Sequence, residues 1–386
     1  MTLRRRLRQA GFTLVELMIS MALGLMIILA LITMLINVNR NNSEMSNTSR
    51  IIESGRFASQ LLASDLSHAG YWGGYVPHWD SLQFTGTPVR ASTAGGLVPT
   101  AVPDPCAAYA GWTSEYRANL IGIPVQGSDV TDPASKPFCD SVITSPMANS
   151  DVLVVRHAET CTAGSGTNEC ANTLATASPN VYMQVSNCEA DTAPFVMSNA
   201  AAAFTLKKRG AGAACGAVAD IRRVASTLYY VKDNGKASPP VLMRSTLSGS
   251  AHGTAQPLVD GVQAFRVEFG IDSVSDSGGA VTATAAVTWA NAADQTSPTN
   301  RGDGIPDGAY VHCTQAAPCT PYQMMNAVSA RIFVLVRAER PSANYSDGKT
   351  YIMGSTTLGP FNDAYKRHLF TQTVRFMNIS GRRETP

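Results

Sequence analysis

The chain has 386 residues, 45% of them hydrophobic, and 30 Lys+Arg stand against 28 Asp+Glu. A balance this close to neutral leaves no broad basic surface for nucleic acid, and short runs such as Lys207-Lys208-Arg209 read as solvated surface. The length allows one large domain or two lobes.

The N-terminus is the most specific segment. Arg4, Arg5, Arg6 and Arg8 form a cationic head, followed by Gly11-Phe12-Thr13-Leu14-Val15-Glu16. Residues 17–36 carry no charge, and about 20 such residues suffice to cross a bilayer as a helix. Arginines on the N-terminal side hold that end in the cytoplasm and send the rest across. Glu16 is the anomaly, because a carboxylate at the entry of an apolar helix is costly in lipid and calls for a partner. A secretory signal would end in small residues at a cleavage site, whereas this run leads into Asn37-Val38-Asn39-Arg40. A plain anchor explains the arginines and the length but not Gly11-Phe12 or Glu16.

This string resembles the processing site of type IV prepilins. The resemblance implies cleavage after Gly11 by a prepilin peptidase and methylation of the new N-terminal residue, Phe12. It also implies that Glu16 docks the subunit by pairing with the terminal amine of a neighbour, which offsets two charges where water is scarce. Loss of the leader leaves 26 Lys+Arg against 28 Asp+Glu.

The helix is expected to continue beyond the membrane. No proline occurs between Arg40 and Ala69, and a stripe runs through Met45, Ile52, Ser59 and Leu66 with Gly55, Leu62 and Ala69. Ile51, Phe57, Ala58 and Leu61 widen it. The Asn- and Ser-rich residues 37–49 are poor helix formers and predict a soft turn. A single helix over 12–69 would be roughly 87 Å long. Gly70 and the Tyr71-Trp72-Gly73-Gly74-Tyr75 run then read as its stop. The expected division is a leader over 1–11, a membrane or filament-core helix over 12–36, an amphipathic helix over 37–70 and a head over 71–386.

Beyond Gly70, short apolar runs separated by Gly, Pro, Ser and Thr predict strands. They lie at 151–158, 181–185, 223–232, 241–247, 261–272, 280–289, 329–339 and 368–378. A hairpin is expected around Asp233-Asn234-Gly235, and Arg331-Ile332-Phe333-Val334-Leu335-Val336-Arg337 reads as a central strand. Residues 77–150, with Pro99, Pro103 and Pro105, need another source of order. Cysteine supplies a candidate. Cys106, Cys139, Cys161, Cys170, Cys188, Cys215, Cys313 and Cys319 all follow the apolar run, which on a translocated head reads as a disulfide framework. Eight cysteines allow 105 pairings, so the connectivity stays open; sequence proximity favours Cys161–Cys170 and Cys313–Cys319, and Cys106–Cys139 with Cys188–Cys215 is one choice for the other four. Zinc would want tight pairs with neighbouring histidines, and His157 and His312 fit no familiar spacing.

Asn300-Arg301-Gly302-Asp303-Gly304-Ile305-Pro306-Asp307 is similar to the Asp-Gly-Ile-Pro-Asp calcium loops of extracellular proteins. Asn300, Asp303 and Asp307 are the candidate calcium ligands. An arginine stands where such loops carry a ligand, and a tight turn is the competing reading. The Arg301-Gly302-Asp303 tripeptide is read as a chance match to a receptor motif. The six histidines are scattered and no catalytic motif is present, so no enzyme is expected and no cofactor, with calcium the one candidate behind the tight-turn reading.

Two further stretches resemble the PilW family of type IV pilus assembly proteins. One runs from Glu53-Ser54-Gly55-Arg56-Phe57-Ala58 to Ala69-Gly70-Tyr71-Trp72-Gly73, and the other is Tyr365-Lys366-Arg367-His368-Leu369-Phe370-Thr371-Gln372-Thr373-Val374-Arg375. That family ends in Arg-Asn after this strand, whereas Met377-Asn378 stands here. The resemblance implies an α+β, pilin-like fold: a long N-terminal helix carrying a β-rich, disulfide-stapled head, with a loop-rich insert at about 77–326. It implies a minor pilin that helps to start pilus assembly, sits at the fibre tip and supports twitching motility. Its partners would be other minor pilins and the major pilin through the N-terminal helix, the prepilin peptidase and the inner-membrane assembly platform. It would cross the inner membrane once, with its head in the periplasm, before entering the pilus. A J-type minor pseudopilin of type II secretion shares these features, and a pilus-tip adhesin is a further alternative.

Overall fold

In the computed structural model, helix α1 (Leu14–His68) is unbroken. The structure describes residues 11, 13–82, 98–163, 177–188, 190–210, 215–235 and 238–384. Phe12, the leader arginines and Cys170 lie outside them. The expected soft turn at 37–49 is absent, and these residues are helical throughout. Each Asn or Ser costs only a few tenths of a kcal/mol in a helix, and good helix on both sides makes propagation cheaper than a break. Thr48 also returns its hydroxyl to the Glu44 carbonyl at 2.9 Å. Gly70 ends the run with φ +73°, which suits glycine.

The chain divides into two units, Met1–Arg50 and Ile51–Pro386, so about five turns of α1 belong to the head unit. Here the buried face is Ile51, Gly55, Ala58, Ser59, Leu62 and Leu66, with Ala69 just beyond. Ile52 and Phe57, expected on that face, are 45% and 52% exposed. The three-and-four spacing from Ile51 sets the stripe, and Ile52 and Phe57 fall outside it on opposite sides.

Among the described residues the head is built mainly on two antiparallel sheets. The larger has eight strands: β1 (Val125–Val130), β2 (Ser150–Ala158), β3 (Ala177–Val185), β4 (Phe195–Ala200), β7 (Ile221–Lys232), β8 (Val241–Ser248), β9 (Ala251–His252) and β10 (Gln256–Asp260). Its main path is β1-β2-β7-β3-β4, and β8 joins β7 through the expected hairpin, with Lys232 opposite Val241. The smaller is β11 (Val262–Ile271), β14 (Ala327–Arg337) and β17 (Arg367–Arg375), with β14 central. Three short hairpins complete the strands. They are β5 (Lys207–Arg209) with β6 (Cys215–Val218), β12 (Trp289–Asn291) with β13 (Thr296–Pro298), and β15 (Tyr351–Met353) with β16 (Thr356–Leu358).

Burial on both faces explains the apolar run of β14. Val328, Ala330, Ile332, Val334 and Val336 join the main core with the α1 residues, while Phe333 and Leu335 pack under Tyr351 and Met353 of β15. The larger sheet is likewise covered twice. Leu153, Val155, Tyr229 and Val231 enter the main core, and Val152, Val154, Leu228 and Tyr230 meet Val142, Ile143 and Cys139. The proline-rich region therefore holds a core of its own, pinned by the Cys106–Cys139 disulfide.

Two elements differ from expectation. Residues 281–288 form no strand, because Asn300 and Arg301 take their carbonyls: Arg301 donates to Thr282 at 2.8 Å and Ala285 at 2.9 Å, and Asn300 to Ala286. The last strand ends at Arg375, and Met377–Arg383 coils into helix α4. Helices α2 (Ser114–Gly122) and α3 (Pro321–Met325) begin on Thr113 and Thr320, whose hydroxyls accept the amides of Tyr116 and Gln323.

Candidate functional site: the N-terminal helix and its seat

Thr13 and Glu16 form a capping box at the start of α1. The Thr13 amide and hydroxyl donate to Glu16 Oε2 at 3.0 and 2.9 Å, and the Glu16 amide donates to Thr13 Oγ1 at 3.3 Å. The carboxylate thus has a local task as well as the expected docking role. The Thr-x-x-Glu spacing ahead of an apolar run is its sequence signal. Within the run, Ser20 donates to the Glu16 carbonyl at 2.7 Å and Thr33 to that of Ala30 at 2.8 Å, so both hydroxyls are satisfied inside the helix.

Along residues 14–36 the large apolar side chains point outward, from Leu14 at 75% exposure to Ile36 at 59%. The helix is long and apolar enough to cross a membrane. Such a surface is satisfied only by lipid or by other helices. Among small residues here, Ser20, Ala22, Gly24 and Ala30 are those that permit close helix contact.

The head end of α1 rests on the smaller sheet. A methyl group on Gly55 would fall inside the ring of Phe370 in β17, so glycine is required for this closeness. Past the helix end, Asn378 in α4 turns its Nδ2 toward the carbonyls of Ser67, His68 and Ala69 at 3.3–3.4 Å. These are orphan acceptors of a helix C-terminus. The Gly70 amide donates to Arg156 O at 3.0 Å, and Trp72 Nε1 to Ile121 O at 3.1 Å. Helix α4 is itself held by buried charge. Arg383 bonds Asp80, Asp272 and Asn326, and Arg382 bonds Asp80. Burial pushes the Asp272 carboxyl up, against the opposing pull of Arg383.

Residues 6–32 match the family model of the prokaryotic N-terminal methylation motif, and residues 228–378 match that of type IV pilus-assembly protein W. This chain carries a prepilin signal and a PilW region. The solved structure of a type IV-like pilin from Thermus thermophilus aligns over 86% of this chain and 98% of its own, at 11% identity and a TM-score of 0.29. No curated protein matches.

The PilW region begins in β7 and reaches into α4. It includes residues 228–321, which neither of the two PilW-like stretches covers. The helix-end stretch 53–73 lies outside both matches, yet it packs on the PilW region through Gly55 against Phe370 and through the Asn378 cap. Asn378, which keeps the Asn of that pair while Met377 departs from its Arg, therefore has a structural use.

The calcium-like loop is also inside the PilW region. Asn300 accepts the Thr288 amide at 3.0 Å, Asp303 that of Ile305 at 2.8 Å, and Asp307 those of Ser273 and Val274 at 2.7 and 2.8 Å. Asp303 braces the loop itself, while Asn300 ties it to residues 286–288 and Asp307 to residues 273–274. Among the described residues no group of three or more His, Cys, Asp or Glu is arranged to hold a metal. Arg301 is buried, so the Arg-Gly-Asp tripeptide is not presented as a receptor motif. Disulfides join Cys106 to Cys139, Cys188 to Cys215 and Cys313 to Cys319. Cys161 is disulfide-bonded as well, and its expected partner Cys170 lies outside the described residues.

Proposed function

We propose that this protein is a minor pilin acting in type IV pilus assembly, with a role in starting the fibre and a place at its tip. One observation carries the reading: an exposed apolar helix, entered by a single carboxylate, stands behind a methylation motif and leads into a PilW region. In lipid that helix is held with its head on the periplasmic side. In a fibre the same surface packs against neighbouring pilins, and Glu16 meets the methylated amine of one of them. The prepilin peptidase and the inner-membrane assembly platform are the machinery this route requires. The large stapled head suits a subunit present in few copies, because a fibre shaft of such heads would leave little room for close helix packing.

The test is a clean deletion in the native host, complemented with the wild-type chain, scored for sheared surface pili, twitching and type II secretion in parallel. The reading expects few or no pili, lost twitching and normal secretion. Normal pili with failed secretion would assign the chain to the type II pseudopilins instead.

A further inference from the structure

Where α1 ends on the larger sheet, a groove of about 650 Å³ is lined by Phe57, Leu61, Asp65, His157, Tyr229 and Arg244. His157, on β2, faces two acceptors. Its Nδ1 is 2.9 Å from Ala158 O, and its Nε2 is 3.5 Å from Asp65 Oδ1 on the helix. A neutral imidazole carries one N–H and cannot donate to both; the imidazolium can. Tyr229, on β7, donates to the other oxygen of Asp65 at 3.0 Å. Asp65 is therefore a polar tie from the helix to two strands, and in a neutral ring its bond to His157 competes with the closer Ala158 carbonyl for a single N–H.

We propose that Asp65, His157 and Tyr229 form a proton-set latch, which clamps the end of the long helix to the sheet and slackens when His157 becomes neutral. The groups around His157 are Asp65 and His68 from the helix, Glu159 after β2, Tyr229 from β7 and Arg244 from β8. Glu159 is engaged by Arg223. His68 has its ring centre 5.8 Å from that of His157 and its Nδ1 2.7 Å from the Ser64 carbonyl. Burial opposes charge on the His157 ring, but the bonds to Asp65 and Ala158 and the charges of Asp65 and Glu159 outweigh it, so the ring titrates above ordinary histidine. A pKa raised by folding gives stability that is complete below the unfolded value and is lost as pH climbs through the folded one. The latch therefore weakens on the alkaline side of about pH 6.5.

The experiment is hydrogen exchange by mass spectrometry on the full chain in detergent micelles, between about pH 6 and pH 9, with rates corrected for intrinsic exchange. Amides of residues 62–70 should lose protection several-fold across that window while those of β14 hold theirs. In His157→Gln the same amides should be weakly protected at every pH. In Asp65→Asn, which keeps the shape, the wild-type midpoint should move down toward ordinary histidine. His68→Asn should leave the midpoint in place. A flat wild-type profile, a profile surviving in His157→Gln, an unmoved midpoint in Asp65→Asn, or one abolished by His68→Asn would each overturn the latch.

Discussion

Gly55 of the long helix and Phe370 of the last strand are in contact that no larger residue at position 55 could share. Helix and strand are more than 300 residues apart in sequence, and each carries a stretch that resembles the PilW family. Gly55→Leu should lower the stability of the head by about 1–3 kcal/mol, the usual cost of overpacking. Adding Phe370→Ala should recover part of that loss, because the two sites are coupled. Denaturant melts of the four proteins of this cycle measure the coupling. Strictly additive losses would mean that the contact is not what constrains Gly55.

The capping box separates two tasks of Glu16. Glu16→Gln can still accept from Thr13 but carries no charge, whereas Thr13→Ala removes the cap and keeps the carboxylate. If the charge docks the subunit, Glu16→Gln loses pili while remaining processed, and Thr13→Ala stays close to wild type. Pili counted after shearing decide this. Full piliation in Glu16→Gln would leave the carboxylate only its local bond.

The disulfides are not equal. Cys106–Cys139 spans 33 residues and Cys313–Cys319 spans 6. On the chain-entropy account, opening the first costs about 3.7 kcal/mol and opening the second about 2.2. Paired serine variants compared by chemical melts should keep that order. The reverse order would show that the wider staple constrains little of the unfolded chain.

Acid should act through His252. Its ring lies between Ser226 Oγ at 3.1 Å and Ser245 Oγ at 3.2 Å, and burial, helped by Arg156, pushes its pKa down to about 4. The unfolded chain then binds a proton that the folded one refuses, so stability falls as pH drops from about 6.5 toward 4. His252→Gln should flatten that part of a stability profile and leave the region above it unchanged. An acid limb of equal slope in the variant would place the effect elsewhere.

The N-terminal helix, its stop at Gly70 and most long strands were legible because each depends on local pattern: an uncharged run, a glycine, an alternation. The buried stripe was offset because Ile52 and Phe57 suit a core by type, and only the packing of the folded head shows that neither is covered. The strand expected at 280–289 failed for a non-local reason, since Arg301 and Asn300 hold its backbone from another loop. Asn378 gave no sequence signal at all, because its partners are carbonyls more than 300 residues away.

The central claim rests on what happens at Gly11. The direct measurement is intact-mass and peptide mass spectrometry of the N-terminus, in cells with and without the prepilin peptidase. The account predicts a chain beginning at methylated Phe12 when the peptidase is present and an intact leader when it is absent. A leader retained in both strains, or a cut beyond Ile36, would contradict it.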